Sequence, residues 1–124
     1  MPTIVVVDDS AIVLAQLRLV LEQEGYTVVT VDTPFGASAA IARNNPDLVL
    51  VDVTMPALTG DVIVSIARRR TMTGGAKILL MSDRDTGELA AIAGACGADG
   101  FIPKTSDWAL FVRQLNSYLA APKS

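Results

Sequence analysis

Five polar side chains stand where apolar runs end. Asp8 and Asp9 follow T-I-V-V-V at 3–7, and Asp52 follows L-V-L-V at 48–51. Ser82 follows A-K-I-L-L-M at 76–81, and Lys104 follows D-G-F-I-P at 99–103. Carboxylates that converge in a poorly solvated cleft repel one another strongly. One lysine offsets one of three negative charges, and a single divalent cation balances the rest. Carboxylate, carbonyl and water ligands select Mg²⁺ among common metals, and Mg²⁺ keeps few protein ligands and favours phosphate oxygens. The set therefore suits a phosphoryl group better than a metal alone. One aspartate can be the nucleophile that takes it as an acyl phosphate. The cation, Lys104 and Ser82 then hold the phosphoryl oxygens.

The elements that must position these groups alternate. Short β-branched or leucine-rich runs at Thr3–Val7, Thr27–Val31, Asp47–Val51, Ala76–Met81 and Asp99–Ile102 read as strands, the longer ones buried on both faces. Between them lie helical stretches. Ala11–Glu24 carries Ile12, Ala15 and Leu19 at helical spacing, starts at Ser10 and ends at Gly25. The second helix starts at Thr33-Pro34, runs through Ala37–Arg43 and stops at Asn44-Asn45-Pro46. Asp61–Arg70 and the Ala/Gly-rich Thr86–Ala95 are the third and fourth helices. Ser106 caps the last, which runs to about Leu119. Such alternation predicts an α/β fold, a doubly wound parallel sheet with helices on both faces. Ligands of these sheets bind outside the carboxyl ends of the strands, where strand order reverses.

Composition narrows the chemistry. A chain of 124 residues that is 51% hydrophobic and 19% charged forms one ordinary domain with a core of its own. Its apolar runs are strand-length, so none spans a membrane, and the N-terminus does not read as a signal peptide. One cysteine, Cys96, excludes an internal disulfide, reads as a small buried hydrophobe and fits a reducing, cytoplasmic compartment. The chain has no histidine, which excludes a histidine triad, a histidine-ligated zinc site and a phosphohistidine carrier. A net charge of −3 disfavours direct nucleic-acid binding.

Four segments carry a resemblance to a known family. They are V-V-V-D-D-S at 5–10, L-V-L-V-D-V-T-M-P-A-L-T-G at 48–60, Ser82 at the end of the fourth strand, and G-A-D-G-F-I-P-K at 97–104. In this order, each at a strand end, they resemble the receiver domain of bacterial two-component response regulators. The resemblance covers essentially residues 3–120. It implies the flavodoxin-like fold of the chemotaxis receiver, strand order 2-1-3-4-5, with residues 1–120 as the receiver and 121–124 as a tail or the start of a linker. It implies Asp52 as phosphoacceptor, with Mg²⁺ held by Asp8, Asp9, Asp52 and the backbone carbonyl of Thr54. It implies Ser82 and Lys104 as contacts of the phosphoryl group and Phe101 as the switch aromatic. The implied partners are a histidine kinase or phosphotransfer protein, which must donate because this chain lacks histidine, and a downstream protein target. Output passes through the fourth helix, fifth strand and fifth helix. Such a protein is a timed switch and not a turnover enzyme.

Three positions depart from the family pattern. Thr105 stands where receivers commonly carry proline. Asp83, followed by Arg84, stands where a small residue is usual. Phe101 stands where tyrosine is frequent. The first two motivate an alternative, a degenerate receiver that binds partners without phosphorylation. A haloacid-dehalogenase-type phosphatase also uses an aspartate nucleophile. It needs a second acid two residues further on, where this chain has Thr54.

Overall fold

A computed structural model describes residues 2–33, 36–53, 76–82, 98–104 and 107–120. Strands β1 (Thr3–Val7), β2 (Thr27–Val31), β3 (Leu48–Asp52), β4 (Lys77–Ser82) and β5 (Gly100–Pro103) form one parallel sheet in the order β2-β1-β3-β4-β5. Helices α1 (Ala11–Gln23), α2 (Ala37–Asn44) and α3 (Trp108–Ala120) accompany it. The sequence-derived topology is the observed one. The expected helices at 61–70 and 86–95 lie outside the described residues, as do Cys96 and the 121–124 tail.

Period-two alternation builds a core on each face of the sheet. Ile4 and Val6 of β1, Leu48 and Leu50 of β3, and Leu79 and Met81 of β4 point to one face. They meet Leu14, Leu17 and Leu21 of α1 and Phe111, Val112 and Leu115 of α3. Val5, Val7, Val49, Val51, Ile78 and Leu80 point to the other face, where Ala37 and Ile41 of α2 pack. Apolar residues on both faces leave the strand ends as the place for polar groups. Trp108 packs edge-on against Phe111, ring centroids 5.6 Å apart.

Several local expectations need correction. The buried stripe of α1 is Leu14, Leu17 and Leu21, whereas Ile12 is 72% and Leu19 60% exposed. Both stripes have helical spacing, and the crossing over the sheet selects between them. The α-helix α2 begins at Ala37 after a helical Gly36, and the expected start at Thr33-Pro34 runs into residues 34–35, outside those described. The Thr33 carbonyl and hydroxyl both accept from the Gly36 N–H at 3.3 Å, closing a turn ahead of the helix. Pro34 lies outside the described residues. The helix then includes Asn44 and ends on Asn45, whose φ of 46° is left-handed, a conformation asparagine tolerates. At α3 the cap is Asp107, which accepts from Leu110 N–H at 3.1 Å on its side chain and from Phe111 N–H on its carbonyl. Ser106 is outside the described residues. The third, fourth and fifth strands each begin and end one residue later than expected, so Asp52 and Ser82 belong to the last rungs.

Two aspartates tie the opposite end of the sheet. Asp47 accepts from Thr3 N–H at 2.8 Å, and Asp99 from Ile78 N–H at 2.7 Å. Both replace a missing ladder partner. Asp99→Ala should therefore lower stability by about 1–2 kcal/mol, with Asp99→Asn recovering at least half, as read from urea unfolding midpoints.

Candidate functional site

Parallel register brings the polar strand ends together. Val7 pairs with Val51, so Asp8 and Asp52, the next residues, are neighbours across β1 and β3. This is where the sheet reverses direction, since β2 lies to one side of β1 and β3–β5 to the other. Asp52 pairs with Met81 and Ser82 with Pro103, which sets Ser82 and Lys104 on the two strands beyond. Backbone bonds continue past the strands. Asp8 N–H donates to Val31 O, Val53 N–H to Met81 O, and Lys104 N–H to Ser82 O.

Asp8 and Asp52 are both buried. Asp8 Oδ1 accepts from Ser10 N–H at 2.9 Å, and Ser10 in turn caps α1 by accepting from Val13 N–H. The D-D-S segment thus braces an acid and starts a helix. Lys104 Nζ bridges the two acids, 2.8 Å from Asp52 Oδ2 in a hydrogen bond and 3.0 Å from Asp8 Oδ2. The contact to Asp8 is an ion pair without hydrogen-bond geometry, and Asp8 Oδ2 is a buried carboxylate oxygen with no hydrogen-bond partner. Asp9 is exposed, yet its carboxylate joins those of Asp8 and Asp52, one oxygen from each lying within 4.8 Å of the others.

The electrostatics follow from this crowding. Burial raises the Asp8 carboxyl above its usual range, and nearby Asp52 adds to the rise, against the opposing pull of the Ser10 N–H and Lys104. For Lys104, burial works against the charged form, but the carboxylates of Asp52 and Asp8 outweigh it and hold the amine above its ordinary value. Among the described residues, three carboxylates around one ammonium leave an excess of negative charge. An unsatisfied buried oxygen and two further carboxylates within reach fit a small oxygen-seeking cation such as Mg²⁺.

Ser82 is fully buried, and its carbonyl receives Lys104 N–H at 2.8 Å. Phe101 is partly buried against the α2-side core, and its carbonyl accepts from the Tyr118 hydroxyl at 3.4 Å. Thr54, Asp83, Arg84 and Thr105 lie outside the described residues. Sequence reading overlooked Lys77. It opens β4 yet is buried, its amine donating to the Tyr118 carbonyl near the end of α3. A single lysine leading an apolar strand gives no sign of this.

Residues 4–116 match the family model of the response regulator receiver domain, and the chain belongs to that family. It is similar to the alkaline phosphatase synthesis transcriptional regulatory protein SphR of Synechococcus elongatus, 33% identical over 113 residues. That match takes 82% of this chain and 42% of SphR, so the chain spans less than half of that relative. In fold it is similar to the Vibrio cholerae chemotaxis protein CheY4, with a TM-score of 0.84 at 24% identity, covering 94% of this chain and 98% of that one. The Thermotoga maritima response regulator TrrA, solved in complex with Mg²⁺-BeF, gives a TM-score of 0.79 at 25% identity, covering 94% and 98%. Among the described residues, no helix is long and apolar enough to cross a membrane.

The charge balance can be tested without any ligand. Asp8→Asn retains an acceptor for Ser10 N–H and removes a buried charge, so it should raise metal-free stability by about 1 kcal/mol at neutral pH. Because the folded-state pKa of Asp8 is raised, its penalty is full above that value and relieved as pH falls through it. The gap between the variant and the parent should therefore close on acidification. Lys104→Met should instead lower stability by about 3 kcal/mol, because it strands two buried carboxylates. Thermal unfolding across pH reads all three proteins.

Proposed function

We propose that this chain is a phosphoacceptor switch of a two-component system, with Asp52 as the residue phosphorylated. The observation that carries this is the Lys104 bridge between two buried acids, one with an oxygen lacking a hydrogen bond, at the sheet's reversal point. Asp8, Asp9 and Asp52, together with the Thr54 carbonyl, would hold Mg²⁺. When bound, Mg²⁺ supplies charge neutralisation to the transferring phosphoryl oxygens.

A carboxylate oxygen of Asp52 attacks phosphorus. The bond from phosphorus to the donor breaks, at the nitrogen of a partner's phosphohistidine or the acyl oxygen of a small acyl phosphate. Lys104, already on Asp52, exchanges part of its carboxylate contact for a phosphoryl oxygen. The transfer neutralises one carboxylate and delivers a dianion in its place, so the need for the ammonium grows. Ser82 donates its hydroxyl to the phosphoryl group, and Phe101 moves inward behind it. That movement changes the surface formed by the fourth helix, β5 and the C-terminal helix, where a downstream protein binds. Water later hydrolyses the acyl phosphate and resets the switch.

Incubation with acetyl phosphate and Mg²⁺ should add the mass of one phosphoryl group, as read by intact-protein mass spectrometry. Asp52→Asn, or omission of Mg²⁺, should abolish the addition. An unmodified parent protein under conditions that label a control receiver would leave the phosphorylation-independent binding module as the better reading.

A further inference from the structure

β2 is an outer strand of the sheet, paired among the described residues only with β1. Its residues alternate in where their backbone groups point. Thr27 N–H and Val31 O are bonded inward, toward β1. Val28 and Thr30 therefore turn their N–H and C=O outward. Among the described residues, one side chain reaches this edge, the exposed Arg18 guanidinium, 3.3 Å from Val28 O. The strand reads T-V-V-T-V, without the lysine or proline that usually blunts an open edge. Val28 is nonetheless buried, and Val29, Thr30 and Val31 are partly exposed. Cavities of about 460 and 640 Å³ flank the edge and share Ala11, Leu14 and Thr30.

The larger groove is charged with opposite sign at its two ends. Asp9 and Asp32 line it beside the carboxyl ends of β1 and β2, and Arg43 lines it at the last turn of α2. Because α2 crosses back antiparallel to β2, Arg43 stands toward the amino end of the strand. All three side chains are exposed. An antiparallel copy of the same edge reverses this order and sets each acidic end against a basic one.

We propose that the β2 edge pairs with the β2 edge of a second copy of this chain, antiparallel about a two-fold axis at Val29. Val28 then lies opposite Thr30 of the second copy, and Thr30 opposite its Val28. Each such pair exchanges two backbone hydrogen bonds. Arg18 releases Val28 O in the process. Asp32 approaches Arg43 of the other copy, twice over by symmetry. One sheet then runs through both copies. This pairing does not depend on whether Asp52 accepts phosphate.

Sedimentation equilibrium of the whole chain tests it directly. The expected result is a concentration-dependent shift from monomer toward dimer that weakens with added salt. Asp32→Arg and Arg43→Asp should each weaken association roughly tenfold, and the double variant should restore it, since both reversed charges again meet their opposites. Thr30→Pro should abolish association by removing the outward donor, a substitution that an outer strand tolerates. Far-ultraviolet circular dichroism checks that each variant is folded. A chain that stays monomeric at every concentration overturns the proposal. So does a dimer indifferent to both single charge reversals, because its contact is then made by another face.

Discussion

Two carboxylates side by side at the end of a buried sheet are the constraint around which the rest is arranged. Asp8 and Asp52 are adjacent because β1 and β3 pair in register, and both are removed from water by the strands that carry them. Burial of an isolated ion costs several kcal/mol even after relaxation. One ammonium, from Lys104, reaches both. It leaves the cluster short of positive charge, with one oxygen in ionic contact but unbonded. A site with this deficit favours whatever brings in positive charge.

The sheet keeps this crowded arrangement in place. The middle of β1 and of β3 is apolar on both faces, so shifting either strand by one residue could drive its terminal acid into a core. The backbone ladder also runs on beyond the strands. Asp8 N–H still bonds β2, Val53 N–H bonds β4, and Lys104 N–H bonds Ser82. The functional side chains thus leave from main chain that is still paired, not from free loops. At the far end, Asp47 and Asp99 fasten Thr3 and Ile78 by side-chain bonds. The sheet is held at both ends by aspartates in different roles, acceptors of backbone N–H groups below and a crowded cluster above.

Much of this was legible in the sequence because the strands announce themselves. V-V-V-D-D, L-V-L-V-D and I-L-L-M-S each break from apolar to polar within one residue, and that step locates both the strand end and the acid or hydroxyl. The helices were less legible. In α1, alanine, leucine and valine fill so many positions that two stripes satisfy a helical period, and the pattern alone cannot rank Leu14–Leu17–Leu21 above Ile12–Ala15–Leu19. Tertiary packing decides it. Caps were ambiguous for a related reason. Thr33 accepts from Gly36 N–H in the manner of a cap, whereas at α3 that bond is made by Asp107, next to the expected Ser106. Lys77 was hidden because its partner, the Tyr118 carbonyl, belongs to an element 41 residues away.

The pair Asp8-Asp9 shows how one residue type can be split into two functions by alternation alone. Successive side chains at the end of β1 leave in different directions. Asp8 turns inward, is braced by Ser10 N–H, and carries the unbonded oxygen. Asp9 turns outward, stays exposed, and still brings an oxygen within reach of the same point. The inward acid bears the desolvation, which holds its carboxyl above the usual range. The outward acid keeps its hydration and adds charge to the cluster at little cost to the fold. Two buried acids here would, with Asp52, leave two buried charges beyond the one Lys104 offsets, and two exposed ones would leave the cluster without a preformed, dehydrated oxygen at this corner. One of each gives a site that is both strained toward a cation and open to its arrival from solvent.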